Sequence, residues 1–209
     1  MIKRSLILGV LALLGFSFLS EALADEFPWQ ERLDKENIKV SVRKQWDSPI
    51  LEFKAGTIIS KDINKVTAFF EDEKKLSEWY YQSVTMDFLE DEGPLSKIYY
   101  FVVHLSWPLA KRDSVIRRVK EIDPHTGVIT YEITLLPDKM LKQRGKIRVT
   151  HLNMLWRFTP LSNGQTEVYF QQHGSPGGSI PIFIINAVIL DIPFYSLQNL
   201  RRLVEEEKE

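Results

Sequence analysis

The sequence predicts an α+β domain in which a curved antiparallel sheet wraps around a long C-terminal helix and encloses a hydrophobic cavity. Between Ser83 and His173 the chain consists almost entirely of strand-like runs separated by turns. The most apolar run beyond the N-terminus, residues 180–195, has the length of a helix but is apolar on nearly every side. Such a helix must be buried or must face something apolar. A sheet of so many strands should curve, and the helix would then fill its concave side.

The N-terminal residues predict export. Lys3 and Arg4 precede an apolar stretch, residues 5–19, and Ala22-Leu23-Ala24 provides small residues at a cleavage site. This order is typical of a secretory signal peptide, and the alternative is an uncleaved anchor. We therefore assign residues 1–24 to a signal peptide and residues 25–209 to one domain, which we expect in a bacterial periplasm.

Hydrophobic periodicity and turn residues predict the other elements. Residues 28–35 are expected to form a short helix or turn. After two strands, a helix with Ser60 as its N-cap should run to Trp79, since apolar residues recur there at helical spacing. The predicted strands are 38–43, 50–59, 84–90, 96–105, 113–122, 128–136, 147–160 and 166–173.

The apolar run at residues 180–195 is too short to cross a bilayer, which needs about 20 largely apolar residues. Asn186, Asp191 and Pro193 also interrupt it. After Pro193 the apolar residues recur at helical spacing, as in a helix that packs on a core. We therefore predict a long C-terminal helix, kinked at Pro193, that closes the cavity as a lid.

Several short motifs resemble those of one protein family. Trp107-Pro-Leu-Ala-Lys-Arg112-Asp113 resembles the W-P-x-x-x-R-D motif of START domains, the steroidogenic-acute-regulatory-related lipid transfer modules. Pro176-Gly-Gly-Ser-Ile-Pro181, with Asn186 five residues on, resembles the entry to their last helix, with Phe183 where Trp is usual. Residues 37–40, 156–161 and 166–168 resemble the first, penultimate and last strands of the family. The chain is similar to a secreted bacterial START protein over about residues 29–204.

The resemblance implies a helix-grip fold that encloses one hydrophobic ligand, commonly a sterol, a phospholipid or another lipid. Some sterol-binding members pair an acid in the cavity with an arginine six residues after the arginine of the R-D motif. Arg118 stands at that arginine position. The preceding strand offers Tyr99, Tyr100 and His104 but no acid. The chain departs from the sterol-type pair at this point.

Candidate ligand-binding residues come from the predicted cavity strands, the W-P motif and the lid helix. They are Tyr100, His104, Trp107, Arg118, Trp156, Phe183, Ile184, Ala187, Val188 and Asp191. Arg118 would orient a polar head group if it points inward, and it would be a solvated cation if it points outward. His104 is a candidate to hydrogen-bond a ligand hydroxyl.

The predicted moving parts are a glycine hinge, residues 174–178, and the kink at Pro193. Within the hinge, Gly177 and Gly178 are the gating candidates. Arg112 and Asp113 are predicted to form a structural charge pair or to anchor a loop. The alternative is that Arg112 guards the mouth of the cavity.

Composition disfavours several other classes of function. The formal net charge is −1 with no basic block, which argues against a nucleic-acid partner. The chain has no cysteine, so thiol catalysis and thiolate metal sites are excluded. Its 4 histidines are scattered, whereas a zinc site needs three or four converging ligands. We therefore expect no metal and no cofactor.

The predicted function is the binding and transport of a lipid or similar hydrophobic ligand by a monomer, without catalysis. Apolar residues at the start of the lid helix are candidates for transient contact with a membrane surface. One alternative is a helix-grip enzyme of the cyclase or hydrolase type, with Tyr100, His104 or Arg118 in acid–base roles. Another is an interaction module of the cell envelope, with a filled core and no ligand.

Overall fold

The computed structural model describes residues 27–207. The predicted signal peptide, residues 1–24, lies outside the described residues and stays a prediction. Within the described part, ten strands form a single sheet. Their bounds are β1 Gln30–Lys35, β2 Ile38–Gln45, β3 Ser48–Ile59, β4 Ser83–Asp91, β5 Ser96–Val103, β6 Lys111–Ile122, β7 Ile129–Leu135, β8 Lys146–Arg148, β9 His151–Pro160 and β10 Thr166–Ser175.

The strand order is β1-β2-β3-β10-β9-β7-β6-β5-β4, with antiparallel neighbours along the whole path. The short strand β8 lies off this path and pairs with β6 in parallel. Four helices complete the described part of the chain: α1 Ile63–Glu71, α2 Leu76–Trp79, α3 Ile182–Ala187 and α4 Asp191–Glu206. The predicted fold, an antiparallel sheet curved around a C-terminal helix, is confirmed.

The bounds of several elements differ from the prediction. Residues expected as a short helix or turn form the edge strand β1, which pairs with β2. Helix α1 is capped by Asp62 rather than Ser60, because the Asp62 carboxylate accepts hydrogen bonds from the backbone N–H groups of Asn64 and Lys65. This is the usual way in which an N-cap satisfies a free N–H group. The strand predicted at 147–160 is broken between β8 and β9, because β8 pairs with β6 instead of β7.

Aromatic side chains fill the concave face of the sheet at the end away from α3. Trp156 on β9 stacks on Phe170 of β10 with ring centroids 3.9 Å apart. Phe70 of α1 contacts the rings of Trp79, Trp156 and Phe158 at 5.0–5.4 Å. These rings bury large apolar areas and prefer such stacked and edge-on contacts. This end of the domain is therefore a packed core.

The apolar C-terminal run is divided into two helices. Helix α3 ends at Ala187 and α4 begins at Asp191, so the break falls at residues 188–190. Pro193 lies in the first turn of α4 and is buried, and a proline is tolerated there because that position has no intrahelical N–H partner. The prediction of a kink at Pro193 is therefore wrong, since the chain interrupts the helix before the proline.

By length and composition alone, one helical stretch of the described residues, Ile182–Glu206, is apolar enough to cross a membrane. A core helix of a soluble protein passes the same test. Within this stretch, α4 packs on β2, β3 and α2.

Candidate functional site

A cavity of about 320 Å³ lies between the concave face of the sheet and the start of the C-terminal helices. Its walls are the start of β3, the end of β5, the start of β6 and β9, the end of β10, and one side of α3. Most of the lining side chains are apolar, as is usual for a site that binds a hydrophobic small molecule. The apolar wall includes Ile50, Phe53, Phe101, Val103, Leu152 and Met154.

The cavity lies at one end of the domain, which we call the mouth end. The connections at this end include the β2–β3 turn, residues 80–82 before β4, the β5–β6 loop (residues 104–110) and the β10–α3 loop (residues 176–181). The β7–β8 loop (residues 136–145) leads into β8 beside the start of β6. The opposite turns, such as residues 161–165 between β9 and β10, lie at the other end of the sheet because the strands are antiparallel.

Three of the predicted ligand residues line this cavity: Ile184, Val188 and Asp191. Two other predicted residues of the same segment, Phe183 and Ala187, are exposed and do not line it. Phe183 is 74% exposed. Successive side chains of a helix point in different directions, so a short helix on a cavity presents only one side to it.

Three residues around the W-P motif lie outside the cavity. Tyr100 points to the opposite face of β5 from Phe101, because side chains alternate along a strand, and its hydroxyl donates a hydrogen bond to Asp113 Oδ2 at 3.1 Å. Burial raises the pKa of Tyr100 to about 12, with the Asp113 charge adding to the effect. His104 follows the end of β5 and is exposed, and Trp107 is 89% exposed. The expectation that these three line the cavity is corrected.

Arg118 and Trp156 lie deeper, beside a second cavity of only about 30 Å³. Arg118 is buried, donates a hydrogen bond to the Tyr99 hydroxyl at 2.5 Å and lies over the Tyr99 ring. Trp79 lines the same space, and its buried Nε1 has no hydrogen-bond partner among the described residues. Arg118 therefore points inward, which is one of the two alternatives stated above. It points into the aromatic core and not into the larger cavity. Tyr80, Phe101 and Met154 separate it from the larger cavity, because they line both.

Arg112 and Asp113 do not pair with each other, and the predicted charge pair is wrong. They are neighbours on β6, so their side chains point to opposite faces. Asp113 forms a buried ion pair with Arg148 on β8, with 2.9 Å between Oδ2 and Nη2. Arg112 lines the cavity and, among the described residues, donates its hydrogen bonds to backbone carbonyl groups.

Those carbonyl groups belong to two loops at the mouth end. Arg112 Nε donates to Pro176 O at 3.0 Å and Nη2 donates to Gly177 O at 3.1 Å, both in the β10–α3 loop. Nη1 donates to Ala110 O in the β5–β6 loop. Burial lowers the pKa of Arg112. Arg112 thus connects the W-P loop to the segment that leads into α3.

Gly177 and Gly178 occupy the β10–α3 loop with φ of +67° and +72°. Residues with a Cβ rarely adopt this conformation. A Cβ on Gly178 would also lie 3.1 Å from Ile147 Cδ1 and 3.3 Å from Arg112 Nη2. Gly174, predicted as part of the hinge, belongs instead to β10, where it pairs with Leu152.

Asn186 is a residue of the site that the sequence interpretation treated only as part of a motif. Its Oδ1 accepts a hydrogen bond from Leu51 N and its Nδ2 donates to Pro49 O, both at 3.1 Å. The side chain therefore pairs with the start of β3 as a neighbouring strand would, and it fixes α3 over the cavity. The motif position was visible in the sequence, but the partner strand, 135 residues away, was not.

The cavity also contains a few polar groups. The Tyr80 hydroxyl donates to Gln172 Oε1 at 3.0 Å, and complete burial raises the pKa of Tyr80 far above its ordinary value. Asp191 begins α4 next to Tyr81, whose pKa is raised by burial and by the Asp191 charge. In the described part of the chain, no group of three or more His, Asp or Glu side chains could hold a metal ion.

A curved sheet that grips a C-terminal helix around a largely apolar cavity defines the class of helix-grip proteins. The family model for the START domain matches residues 16–209, and the chain belongs to the START domain family.

The relatives agree with this assignment. A protein of Pseudomonas aeruginosa, PA1579, described as uncharacterized, is 30% identical over 197 residues, which cover 94% of this chain and 96% of that protein. The crystal structure of a STAR-related lipid transfer protein from Xanthomonas axonopodis is 28% identical, with a TM-score of 0.79, and the match covers 85% of this chain and 99% of that one. Human StAR-related lipid transfer protein 5 has a TM-score of 0.78 at 14% identity, over 93% of this chain and 96% of that one. This last likeness concerns the fold alone.

Proposed function

We propose that the protein binds one lipid or similar hydrophobic molecule in the 320 Å³ cavity and carries it across an aqueous compartment. The observation that carries the proposal is the apolar cavity whose wall includes the half-exposed helix α3. The Xanthomonas axonopodis relative, which is named a lipid transfer protein, supports it. Each methylene group that leaves water contributes about 0.8 kcal/mol to binding.

The size of the cavity limits what it holds while α3 stays in place. Ligand pockets range over about 300–1,000 Å³, and 320 Å³ lies at the lower end. A short or single-chain hydrophobe fits this volume, and a larger lipid needs α3 to move outward. The polar groups at Arg112, Asp191 and Gln172 would then contact the polar end of the ligand.

The opening movement in this proposal is a displacement of α3. This helix has no buried residue, so little apolar packing opposes its movement. The contacts to break are the two hydrogen bonds of Asn186 to β3 and those of Arg112 to Pro176 and Gly177. Gly177 and Gly178 would absorb the change in backbone angles.

Transient contact with a membrane is the second part of the proposal. Phe183 on α3 and Trp107 on the β5–β6 loop are 74% and 89% exposed at the mouth end. Aromatic side chains of this kind insert at the boundary between head groups and acyl chains. A membrane contact here would allow a ligand to pass without crossing water. We expect the carrier to act as a monomer in the periplasm.

An enzymatic function has less support from the geometry. Of the three acid–base candidates, Tyr100 and His104 do not line the cavity, and Arg118 lines only the small one. An interaction module without a ligand would not need the 320 Å³ cavity, since protein interiors are normally close-packed. Binding and carriage remain the function that the site supports best.

Native mass spectrometry of the protein purified from its own host tests ligand binding directly. The expected result is a co-purifying hydrophobic molecule bound one to one. A chain that carries no ligand, and takes none up from lipid vesicles, would contradict the proposal.

A transfer assay between vesicles tests the hinge. Gly177→Ala with Gly178→Ala should slow transfer, because alanine resists the positive φ of both positions. Gly164→Ala is the matched control, since Gly164 has φ +75° at the other end of the sheet and an added Cβ there meets nothing within 4 Å. Equal rates for the hinge variant and the control would refute a gating role.

A further inference from the structure

The β7–β8 loop, residues 136–145, is held in place by one buried side chain. Arg148 Nη1 donates hydrogen bonds to Pro137 O at 2.7 Å and Met140 O at 2.8 Å. Its Nη2 donates to Leu141 O at 3.2 Å and to Asp113 Oδ2 at 2.9 Å. A guanidinium group that binds three carbonyl groups of one loop fixes the path of that loop.

The ion pair with Asp113 orients the Arg148 side chain. Arg148 and Asp113 are both buried, with side chains 1% and 0% exposed. A buried charge without a partner is strongly unfavourable, so each group holds the other in place, and Tyr100 adds a further hydrogen bond to Asp113. Asp113 of the R-D motif thereby holds Arg148 in the position in which it binds the β7–β8 loop.

The fixed loop presents an unusual combination of side chains to solvent. Leu141 at its tip is 86% exposed. The segment from Lys139 to Lys146 has the sequence KMLKQRGK with four basic residues, and the one acidic residue of the loop, the exposed Asp138, directly precedes it, in a chain with a net charge of −1. Lys139 is paired with Glu90, whereas Lys142 and Arg144 are exposed and form no ion pair with another described residue.

The loop lies at the mouth end, next to the segments that enclose the cavity. Strand β8, which follows it, pairs with the start of β6 at Arg112 and Asp113. Ile147 of β8 lies against the hinge, within 3.5 Å of an ideal Cβ position on Gly177 and 3.1 Å of one on Gly178. The end of the loop that leads into β8 therefore lies beside the mouth of the cavity, whereas Lys139 reaches Glu90 on β4.

The most exposed of the large apolar side chains among the described residues lie at the same end. Four large hydrophobic side chains are more than 70% exposed, and each comes from a different mouth-end segment. They are Trp46 (83%), Trp107 (89%), Leu141 (86%) and Phe183 (74%). The other large hydrophobic side chains among the described residues are at most 51% exposed. Exposed apolar groups around an opening are typical of a docking surface.

We propose that the β7–β8 loop binds an anionic lipid bilayer, with Leu141 inserted among the acyl chains and Lys142 and Arg144 on the acidic head groups. Basic residues beside an apolar anchor are the combination that favours an anionic membrane over a neutral one. The fixed backbone means that the loop needs no ordering when it binds. The inference deepens the proposed function, because it specifies the charge of the membrane at which the mouth opens.

Vesicle binding of the full mature chain tests the proposal. Vesicles of phosphatidylcholine alone are compared with vesicles of equal parts phosphatidylcholine and phosphatidylglycerol, by co-sedimentation. The chain should prefer the anionic vesicles, and the preference should disappear at an ionic strength of about 1 M, where the Debye length is about 3 Å. Equal binding to both kinds of vesicle would overturn the proposal.

The variant Lys142→Ser with Arg144→Ser should bind the anionic vesicles about 30-fold more weakly, since each basic residue near such a surface contributes about fivefold. Leu141→Ser should weaken binding to anionic vesicles while leaving the salt dependence in place. The matched control is Lys61→Ser with Lys74→Ser, which removes the same charge near the opposite end of the sheet and should bind like the wild type. Lys61 follows the end of β3, and residues close to Lys74 pair with Lys120 at the end of β6 and with Glu207. Wild-type binding to anionic vesicles by the loop variant would overturn the proposal.

Two further measurements separate this inference from the proposed function. The unfolding midpoint of each variant shows whether the domain stays folded, since Lys142 and Arg144 are exposed and should not affect it. Native mass spectrometry gives the ligand content. A ligand-loaded chain without anionic preference contradicts only the loop proposal, and a ligand-free chain that binds anionic vesicles contradicts only the cavity proposal.

Discussion

Helices α3 and α4 come from one continuous apolar stretch, but they are packed very differently. None of the residues of α3 is buried. Helix α4 buries Pro193, Phe194, Ser196, Leu197, Leu200 and Val204. Helix α3 is attached to β3 by the hydrogen bonds of Asn186, whereas α4 packs on β2, β3 and α2. The comparison indicates that α4 contributes to the core, whereas α3 is held to the domain mainly by hydrogen bonds.

Truncation in α4 should have the largest effect on stability. Leu197 is fully buried, and Leu197→Ala should lower the free energy of unfolding by about 2–5 kcal/mol, because it removes apolar contacts and leaves a cavity. Urea denaturation measures the change. Ile182→Ala in α3 is the control, and it should cost far less because Ile182 is 37% exposed. Equal losses would remove the distinction between the two helices.

A polar contact of α4 should give the next largest effect. The buried Ser196 Oγ accepts a hydrogen bond from the backbone N–H of Tyr81 at 3.0 Å. Ser196→Ala leaves that N–H group without its partner and should cost about 1–3 kcal/mol. Thermal and urea unfolding both report it. Ser179→Ala, at an exposed position before α3, should be neutral, and a neutral Ser196→Ala would show that α4 is less firmly fixed than its burial implies.

The hydrogen bonds of α3 should matter more for ligand release than for stability. Asn186→Ala removes two contacts to β3 and should cost about 1 kcal/mol of stability, while release of a bound fluorescent lipid into acceptor vesicles should become faster. Asn199→Ala is the matched control in α4, where Asn199 donates to Trp79 O. If both variants release ligand at the wild-type rate, then α3 is not the moving element.

The exposed face of α3 should give the smallest effect on stability. Phe183→Ser should change the free energy of unfolding by no more than about 0.5 kcal/mol, as is usual for surface positions. It should nevertheless slow lipid transfer, because Phe183 is 74% exposed at the mouth end. A destabilisation of several kcal/mol would mean that α3 packs more tightly than described, and an unchanged transfer rate would exclude Phe183 from membrane contact.

The sequence was sufficient for the fold because motifs and turns are local. The W-P motif, the glycine-proline entry to α3 and the alternating strands occur in the order that the sheet requires. Three of the five candidate residues in the lid segment, Ile184, Val188 and Asp191, line the cavity. The prediction also included Phe183 and Ala187, because the apolar sequence alone did not show which side of the segment faces the sheet.

The strand residues of the site were harder to predict because β5 is apolar on both faces. The outer face of β5 and its neighbour β6 is covered, since Ile98 and Val115 are fully buried on it. The same face carries Tyr100 and Asp113, and Arg148 fixes the β7–β8 loop over it. A strand covered on both sides loses the alternation that shows which side chains face inward. Tyr100 was assigned to the cavity for this reason.

Long-range polar contacts were beyond the reach of the sequence. Arg148 had no recognisable role until β8 was seen to pair with β6 in parallel. The carboxylate partner of Arg148 is 35 residues away in the chain, and the carbonyl partners of Arg112 at Pro176 and Gly177 are 64 and 65 residues away. No periodicity or spacing rule connects residues at such separations.

The hydrogen bonds of Arg112 have a mechanical consequence. One planar group binds Ala110 on one side and Pro176 and Gly177 on the other, so neither loop can move away alone without leaving donors of a buried cation unsatisfied. Because unpaired buried donors are costly, the two loops are expected to move as a coupled pair. In the opening movement proposed above, displacement of one loop should therefore also displace the other.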